Sequence, residues 1–149
     1  HVGHWEIDTV MGNGDQHCIV TLVERKTGYV LIGKLTNRKM KTTAERTKKL
    51  IKREWGFFDT ITSDNGTEFH AYKDVEDATG VTYYFANPYH SWERGSNENM
   101  NGLIRQYLPK GQSMAHVTQH HCNWIANELN TRPRKRHDFN TPKEMLHGF

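Results

Sequence analysis

Three strand-forming segments joined by short turns open the chain, and they constrain the fold more than any other feature. Residues 4–11 alternate between apolar and polar side chains, 18–23 form an almost continuous apolar run, and 29–35 follow a Lys-Thr-Gly turn. Alternation with a period of two is typical of β-strands. Because the turns are too short for a crossover connection, the three segments are predicted to form an antiparallel meander.

Helical and strand patterns alternate in the rest of the chain. A helix is predicted over 42–55, opened by a capping box from Thr42 to Glu45. The later predicted elements are a strand ending at Asp64, a helix over 67–78, a strand over 81–86, helices over 96–108 and 116–130, an extended basic segment over 132–136, and a short helix from Thr141. Strands separated by a helix are usually parallel neighbours. The predicted class is therefore α/β, with a five-stranded mixed sheet (three antiparallel strands, then two parallel) flanked by helices.

Composition restricts the kind of partner. A length of 149 residues predicts one domain, and the net charge of +3 favours an anionic partner such as nucleic acid. The longest apolar run, 18–23, is far too short to cross a membrane, so we expect no membrane partner and a cytoplasmic location. Cys18 and Cys122 have no metal-like spacing and are expected to be reduced, packed thiols.

The strand over 60–63 stops at an acidic residue, Asp64, followed by Asn65 and Gly66. Because Asn and Gly tolerate positive φ, the pair predicts a sharp turn with positive φ directly after Asp64. Acidic residues at the carboxyl end of a strand in an α/β sheet lie where such sheets usually bind ligands. A hairpin turn is the alternative, but the next strand begins too far downstream for a tight hairpin.

Two further acids are candidates by position. Asp8 lies in the first strand, with Glu6 on the same strand face as its alternative. Glu98 lies opposite the apolar stripe of the 96–108 helix, and Glu93, in the preceding loop, is its alternative. If Asp8, Asp64 and Glu98 converge, their mutual repulsion would be relieved by a divalent cation.

Hard oxygen ligands suit Mg²⁺ or Mn²⁺. Two such ions can activate a nucleophile and stabilise the leaving oxygen of a phosphoryl displacement. For a basic protein, the phosphodiester backbone of nucleic acid is the natural substrate.

Three segments carry a family resemblance. Residues 3–8, 63–69 and 95–101 resemble the acidic motifs of DDE transposases and retroviral integrases, and 33 residues (65–97) separate Asp64 from Glu98, within that superfamily's range. Residues 88–95 and 129–135 look like the bacterial insertion-sequence transposase branch.

The resemblance implies a ribonuclease H-like fold, with Asp8, Asp64 and Glu98 as catalytic residues and ligands of two Mg²⁺ or Mn²⁺ ions. It also implies DNA cleavage, strand transfer by a DNA 3′-hydroxyl, transposon ends and target DNA as partners, and self-association to hold two ends. The family's usual N-terminal helix-turn-helix region has no counterpart in this sequence. We therefore expect residues 1–149 to form a catalytic core domain.

Basic and amide side chains near these motifs are candidates for DNA binding, with a merely solvated surface as the alternative. They are Arg94, Asn101, Arg105, Lys110, Arg132, Arg134, Lys135 and Arg136. Two other functions stay open: a ribonuclease H-like nuclease acting on RNA–DNA hybrids or branched DNA, and a non-catalytic DNA-binding or assembly module.

Overall fold

A computed structural model describes residues 1–88 and 95–149. The strands are β1 (His4–Met11), β2 (Cys18–Glu24), β3 (Val30–Leu35), β4 (Thr60–Ser63) and β5 (Thr82–Phe85). The helices are α1 (Met40–Arg53), α2 (Tyr72–Thr79), α3 (Gly95–Ile104), α4 (Gln119–Asn130) and α5 (Pro142–His147). Single 3₁₀ turns cover Thr67–Phe69 and Lys135–His137.

The five strands form one mixed sheet in the order β3-β2-β1-β4-β5. The first three strands pair antiparallel, as a meander requires, whereas β4 pairs parallel with both β1 and β5. The predicted fold class is confirmed, including three antiparallel strands followed by two parallel ones. The register aligns His4 with Thr60 and Glu6 with Thr62.

Alternation along β1 sends side chains into two separate cores, one on each face of the sheet. Trp5 and Ile7 pack on the face covered by α1 and α2, in a cluster that includes Leu50 and Val75. Val10 packs on the opposite face, in the cluster built from α3 and α4. The sheet is therefore the middle layer of three, and α3 lies on the same face as the even-numbered residues of β1.

Side chains from neighbouring helices satisfy backbone groups at both sheet edges. The side-chain amide of Asn130 accepts a hydrogen bond from the backbone N–H of Val30 and donates one to its carbonyl, both at 2.8 Å. At the other end of α4, Gln119 bonds β3 in the same way, at the N–H of Lys34 and the carbonyl of Ile32. On β5, the N–H of Tyr83 donates to a carboxylate oxygen of Glu76. Pairing of exposed strand edges with other chains is a hazard that these bonds reduce.

Several element boundaries differ from those predicted. Helix α1 begins at Met40 after Lys39, whose side chain makes no capping bond, so the predicted capping box at Thr42 is wrong. Helix α3 ends at Ile104 rather than 108, and α4 begins at Gln119, capped by Thr118. The 132–136 segment, predicted to be extended, runs into the 3₁₀ turn at Lys135–His137.

Over residues 1–88 and 95–149, no helix has the length and apolar character needed to span a bilayer.

Candidate active site

Asp8 lies in the middle of β1, and Asp64 directly follows β4, the strand that pairs parallel with β1. The β1–β4 register pairs Glu6 with Thr62, and two residues further along each chain are Asp8 and Asp64. Adjacent strands are about 4.8 Å apart, so this register brings the two acids together. Both residues are half-buried. The β1–β4 register thus directs two of the three predicted acids to neighbouring positions on the sheet.

The turn after β4 holds Asp64 through the backbone. The N–H of Gly66 donates to Asp64 Oδ1 at 2.8 Å. The predicted positive φ is wrong, because Gly66 has φ −56° and ψ 142°. Glycine is required here for space: a Cβ on Gly66 would lie 2.2 Å from Glu68 Oε1 and 2.9 Å from Asp64 Oδ1. The turn therefore depends on close approach of two carboxylates to a backbone without a side chain.

Helix α3 is bonded directly to Asp8. Asn101 Nδ2 donates to Asp8 Oδ2 at 3.1 Å, while the backbone N–H of Thr9 donates to Asp8 Oδ1 at 2.9 Å. Glu98 lies three residues before Asn101, on the adjoining turn of the same helix, and is exposed. Residues three apart on a helix are surface neighbours. Helix α3, which carries Glu98, is therefore hydrogen-bonded to Asp8.

An open cleft runs along the end of β1 and the outer face of α3. It contains four of the predicted site residues. Its lining is formed by Thr9, Val10, Met11, Glu98, Asn101, Gly102, Arg105 and Lys110. A carboxylate and two cations thus face one shared space.

The three carboxylates are not gathered into a closed cluster. Within the described ranges, one group of three His, Cys, Asp or Glu side chains has ligand atoms all within 4.8 Å of one another, and it consists of His1, His4 and Asp59. That group lies at the amino ends of β1 and β4, away from Asp8 and Asp64. The donor set of Asp8, Asp64 and Glu98 nevertheless has the all-oxygen chemistry that Mg²⁺ and Mn²⁺ prefer.

Glu68 is a fourth carboxylate at the site, which the sequence did not single out. It is only 7% exposed, and its Oε2 accepts a hydrogen bond from Thr9 Oγ1 at 2.7 Å. Arg38 Nε lies 3.7 Å from the same oxygen. Its Oε1 is the atom that lies against Gly66, beside Asp64. Its place in the 63–69 segment was the one signal in the sequence of this role.

Glu6, the alternative to Asp8, has a different environment. Its carboxylate is fully buried, its Oε1 accepts from the backbone N–H of Asn97 at 3.2 Å, and Arg25 Nε lies 3.3 Å from its Oε2. Glu6 is therefore bonded to the start of α3. The half-buried Asp8 lies two residues further along β1, next to the strand residues that line the cleft.

Two of the predicted DNA-binding arginines also brace the fold. Arg105 donates to the carbonyls of Met11 and Leu108, and burial lowers the pKa of its guanidinium. Arg134 donates to the carbonyl of Leu129, and its pKa is lowered by burial and then by the neighbouring arginines. Guanidinium groups stay charged under such shifts and carry five N–H donors, so each retains capacity for a phosphate.

The remaining candidates for DNA contact have different surroundings. Arg132 donates to the Tyr107 hydroxyl at 2.6 Å, and Arg136 bonds the carbonyls of the turn between β2 and β3. Lys110 and Lys135 are exposed. Arg94 and the alternative acid Glu93 lie outside the described residues.

Comparison with known proteins finds a matching family model and similar transposases. A family model described as "Integrase core domain" matches residues 2–91. The chain is 43% identical over 144 residues to the transposase for insertion sequence element IS4351 of Bacteroides fragilis, covering 97% of this chain and 44% of that protein. It is 41% identical over 146 residues to the transposase InsI for insertion sequence element IS30A of Escherichia coli K12, covering 97% and 38%. The chain thus spans less than half the length of these relatives.

Solved structures share the fold. The catalytic core domain of BIV integrase superposes with a TM-score of 0.73 at 21% identity, covering 99% of this chain and 95% of that one. A chain of the simian T-cell lymphotropic virus intasome, solved in complex with a PP2A regulatory subunit, gives a TM-score of 0.77 at 15% identity, covering 97% and 54%. The fold is that of integrase catalytic cores, which confirms the ribonuclease H-like prediction.

Proposed function

Because the chain belongs to the integrase core domain family, we propose that it is the catalytic core of an insertion-sequence transposase. Its reaction is cleavage of DNA at the ends of a mobile element and transfer of the resulting 3′-hydroxyl to target DNA. The relatives that cover 97% of the chain carry the name transposase. The proposal is supported by the β1–β4 register, which pairs the residues two positions before Asp8 and Asp64, and by the Asn101 hydrogen bond that joins Asp8 to the helix bearing Glu98.

Asp8, Asp64 and Glu98 are the proposed ligands of Mg²⁺ or Mn²⁺, with two ions held when DNA is bound. Such ions lower the pKa of a bound water or hydroxyl nucleophile and neutralise charge on the leaving oxygen. The chain's own contribution is orientation: the Gly66 N–H fixes Asp64, and the Thr9 N–H and Asn101 amide fix the two oxygens of Asp8. Ligand carboxylates held by such bonds lose less freedom on binding.

The cations of the cleft are proposed to hold the DNA backbone. Lys110 and Arg105 line the cleft with Glu98, so a phosphate bound there would lie close to that carboxylate. The basic segment with Arg132, Arg134, Lys135 and Arg136, together with Arg94 and Asn101, is proposed to extend this contact. Since strand transfer joins two ends to one target, we also propose that the full protein acts as a homo-oligomer.

Replacing Asp64 by Asn tests the proposal. The substitution keeps the size and the acceptor oxygen but removes the charge that a divalent cation needs. We expect Mn²⁺-dependent nicking and 3′-end joining of DNA to fall at least about 100-fold. The measurement uses a labelled duplex carrying the element's terminal sequence, and Asp77→Asn, an exposed acid on α2, is the matched control.

The products separate the possible functions. Joined 3′ ends support a transposase, whereas cleavage of RNA–DNA hybrids or junctions without joining would support a nuclease instead. DNA binding without metal-dependent cleavage, and with no effect from replacing the three acids, would indicate a non-catalytic module. Full nicking by the purified Asp64→Asn protein would refute the proposed site.

A further inference from the structure

Glu6 is a buried carboxylate that the proposed reaction does not use. It lies on β1 two residues before Asp8, so both side chains point to the face of the sheet that α3 covers. Burial of an ionised carboxylate is costly unless hydrogen bonds and a counter-charge compensate. Glu6 has both, in the N–H of Asn97 and the guanidinium of Arg25. Because an ionised carboxylate is costly to bury, the presence of Glu6 at this position suggests a functional role.

Among the described residues, hydrogen bonds from Glu6 and from Asp8 attach α3 to β1, and their spacings match. Glu6 accepts from the backbone of Asn97, and Asp8 accepts from the side chain of Asn101. Two residues of strand advance about 6.6 Å, and four residues of helix advance about 6 Å. The helix can therefore lie along the strand with both bonds made at once. Glu98 lies between the two attachment points.

We infer that Glu6 is a positioning residue that fixes the first turn of α3 and thereby places Glu98 relative to Asp8. The Asn97 N–H is one of the amides that a helix leaves unbonded in its first turn, and a carboxylate there also interacts favourably with the helix dipole. Met100 and Ile104 pack the later part of α3 onto the sheet, and the Glu6 bond adds a hydrogen bond at its first turn, before Glu98. As a role in the placement of the third acid, this inference rests on the proposed function.

Hydrogen exchange tests whether Glu6 holds the helix. In Glu6→Ala the acceptor is lost, and we expect the amides of residues 96–101 to exchange at least about 10-fold faster. Glu6→Gln retains an acceptor oxygen and should restore near-native exchange. Glu6→Asp keeps the charge but shortens the reach, so it serves if the alanine variant does not fold. Exchange is measured by mass spectrometry on the whole chain.

Glu24 provides the matched control. It is equally buried, but it bonds the backbone of Gly3 and of the turn at Lys26 and Thr27 rather than α3. Glu24→Ala should loosen that turn and leave 96–101 protected. Equal exchange of α3 in the Glu6 and Glu24 variants would overturn the inference.

Mn²⁺ binding by the protein alone tests whether Glu6 acts through Glu98. Glu6→Asp should weaken Mn²⁺ binding several-fold in the native background and have no further effect in a Glu98→Gln background, as coupled residues do in a double-mutant cycle. An equal effect in both backgrounds would overturn the link to Glu98. Unchanged Mn²⁺ binding in Glu98→Gln itself would count against the proposed function, and the exchange experiment would then decide by itself whether Glu6 seats the helix.

Discussion

Gly66 shows how one missing side chain supports the site. Its backbone φ is ordinary for any residue, yet a Cβ there would overlap the Glu68 carboxylate and contact that of Asp64. The obstructing atoms belong to a buried carboxylate that is itself held by Thr9 and Arg38, so they cannot move away freely. The glycine is thus required by the carboxylates around it rather than by its own conformation.

Gly66→Ala should therefore damage stability and activity together. Overpacking of this kind costs about 1–3 kcal/mol of unfolding free energy. Displacement of Asp64 should also lower DNA nicking well beyond the loss of folded protein, which chemical denaturation and a nicking assay measure in parallel.

Gly102→Ala is the stability control for that experiment. Among the described residues nothing lies within 4 Å of the Cβ it would add, and Ala is favoured over Gly inside a helix. Unfolding free energy should stay level or rise slightly. A Gly66→Ala protein as stable and active as the native one would show that the Glu68 carboxylate moves aside.

The candidate acids could be predicted from sequence because each sits at a position with a local signature: a strand, a strand end or a polar helix face. The distant hydrogen-bond partners of the neighbouring buried glutamates, Glu6 and Glu68, could not be predicted. Glu6 bonds Asn97, 91 residues away, and Glu68 bonds Thr9, 59 residues away. No local pattern tells which of several glutamates is buried, since burial depends on how distant elements meet.

At the scale of elements, strands were predictable and helix ends were less so. Alternation located β1, whose two faces differ in polarity, and apolar or β-branched runs located the other strands, as expected where both faces are covered. The Thr42–Glu45 spacing suits a capping box, but α1 starts earlier, at Met40, which leaves Thr42 inside the helix. A true capping box occurs at Thr141 and Glu144, where both reciprocal bonds form at the start of α5.

The free energies of unfolding of Thr42 and Thr141 variants can be compared directly, because of the two residues only Thr141 caps a helix. Thr141→Ala removes a side-chain acceptor from the Glu144 N–H and should cost about 1 kcal/mol of unfolding free energy. Thr42→Ala should change it by less than about 0.5 kcal/mol, since the helix there is already formed and Ala has the higher helix propensity. Urea denaturation of both variants checks the difference. A larger loss in Thr42→Ala would mean that α1 begins at Thr42 rather than at Met40.

At the scale of the whole molecule, none of the described candidates for DNA contact lies on α1. Lys110 follows α3, and Lys135 lies in the segment bonded to the β2–β3 turn, whereas α1 and its lysines cover the opposite face. Net charge is modest at +3, so this distribution matters more than the total.

Lys110→Gln and Lys135→Gln should each weaken DNA binding without regard to sequence. Removal of one phosphate-binding cation should reduce the slope of log affinity against log salt concentration by about 1. Lys49→Gln, an exposed lysine on α1, is the control and should leave the slope unchanged. Fluorescence anisotropy titrations at several salt concentrations give the slopes. Equal slopes for all three variants would place the DNA elsewhere.

Side-chain hydrogen bonds to the edge strands limit how copies of this protein can associate. The side-chain amides of Gln119 and Asn130 bond β3, and the Glu76 carboxylate bonds β5. A strand whose outward N–H and C=O groups are already engaged offers no template for a visiting strand. Complexes of this domain should thus not add a strand beside β3, and should instead be built by docking helix faces or loops.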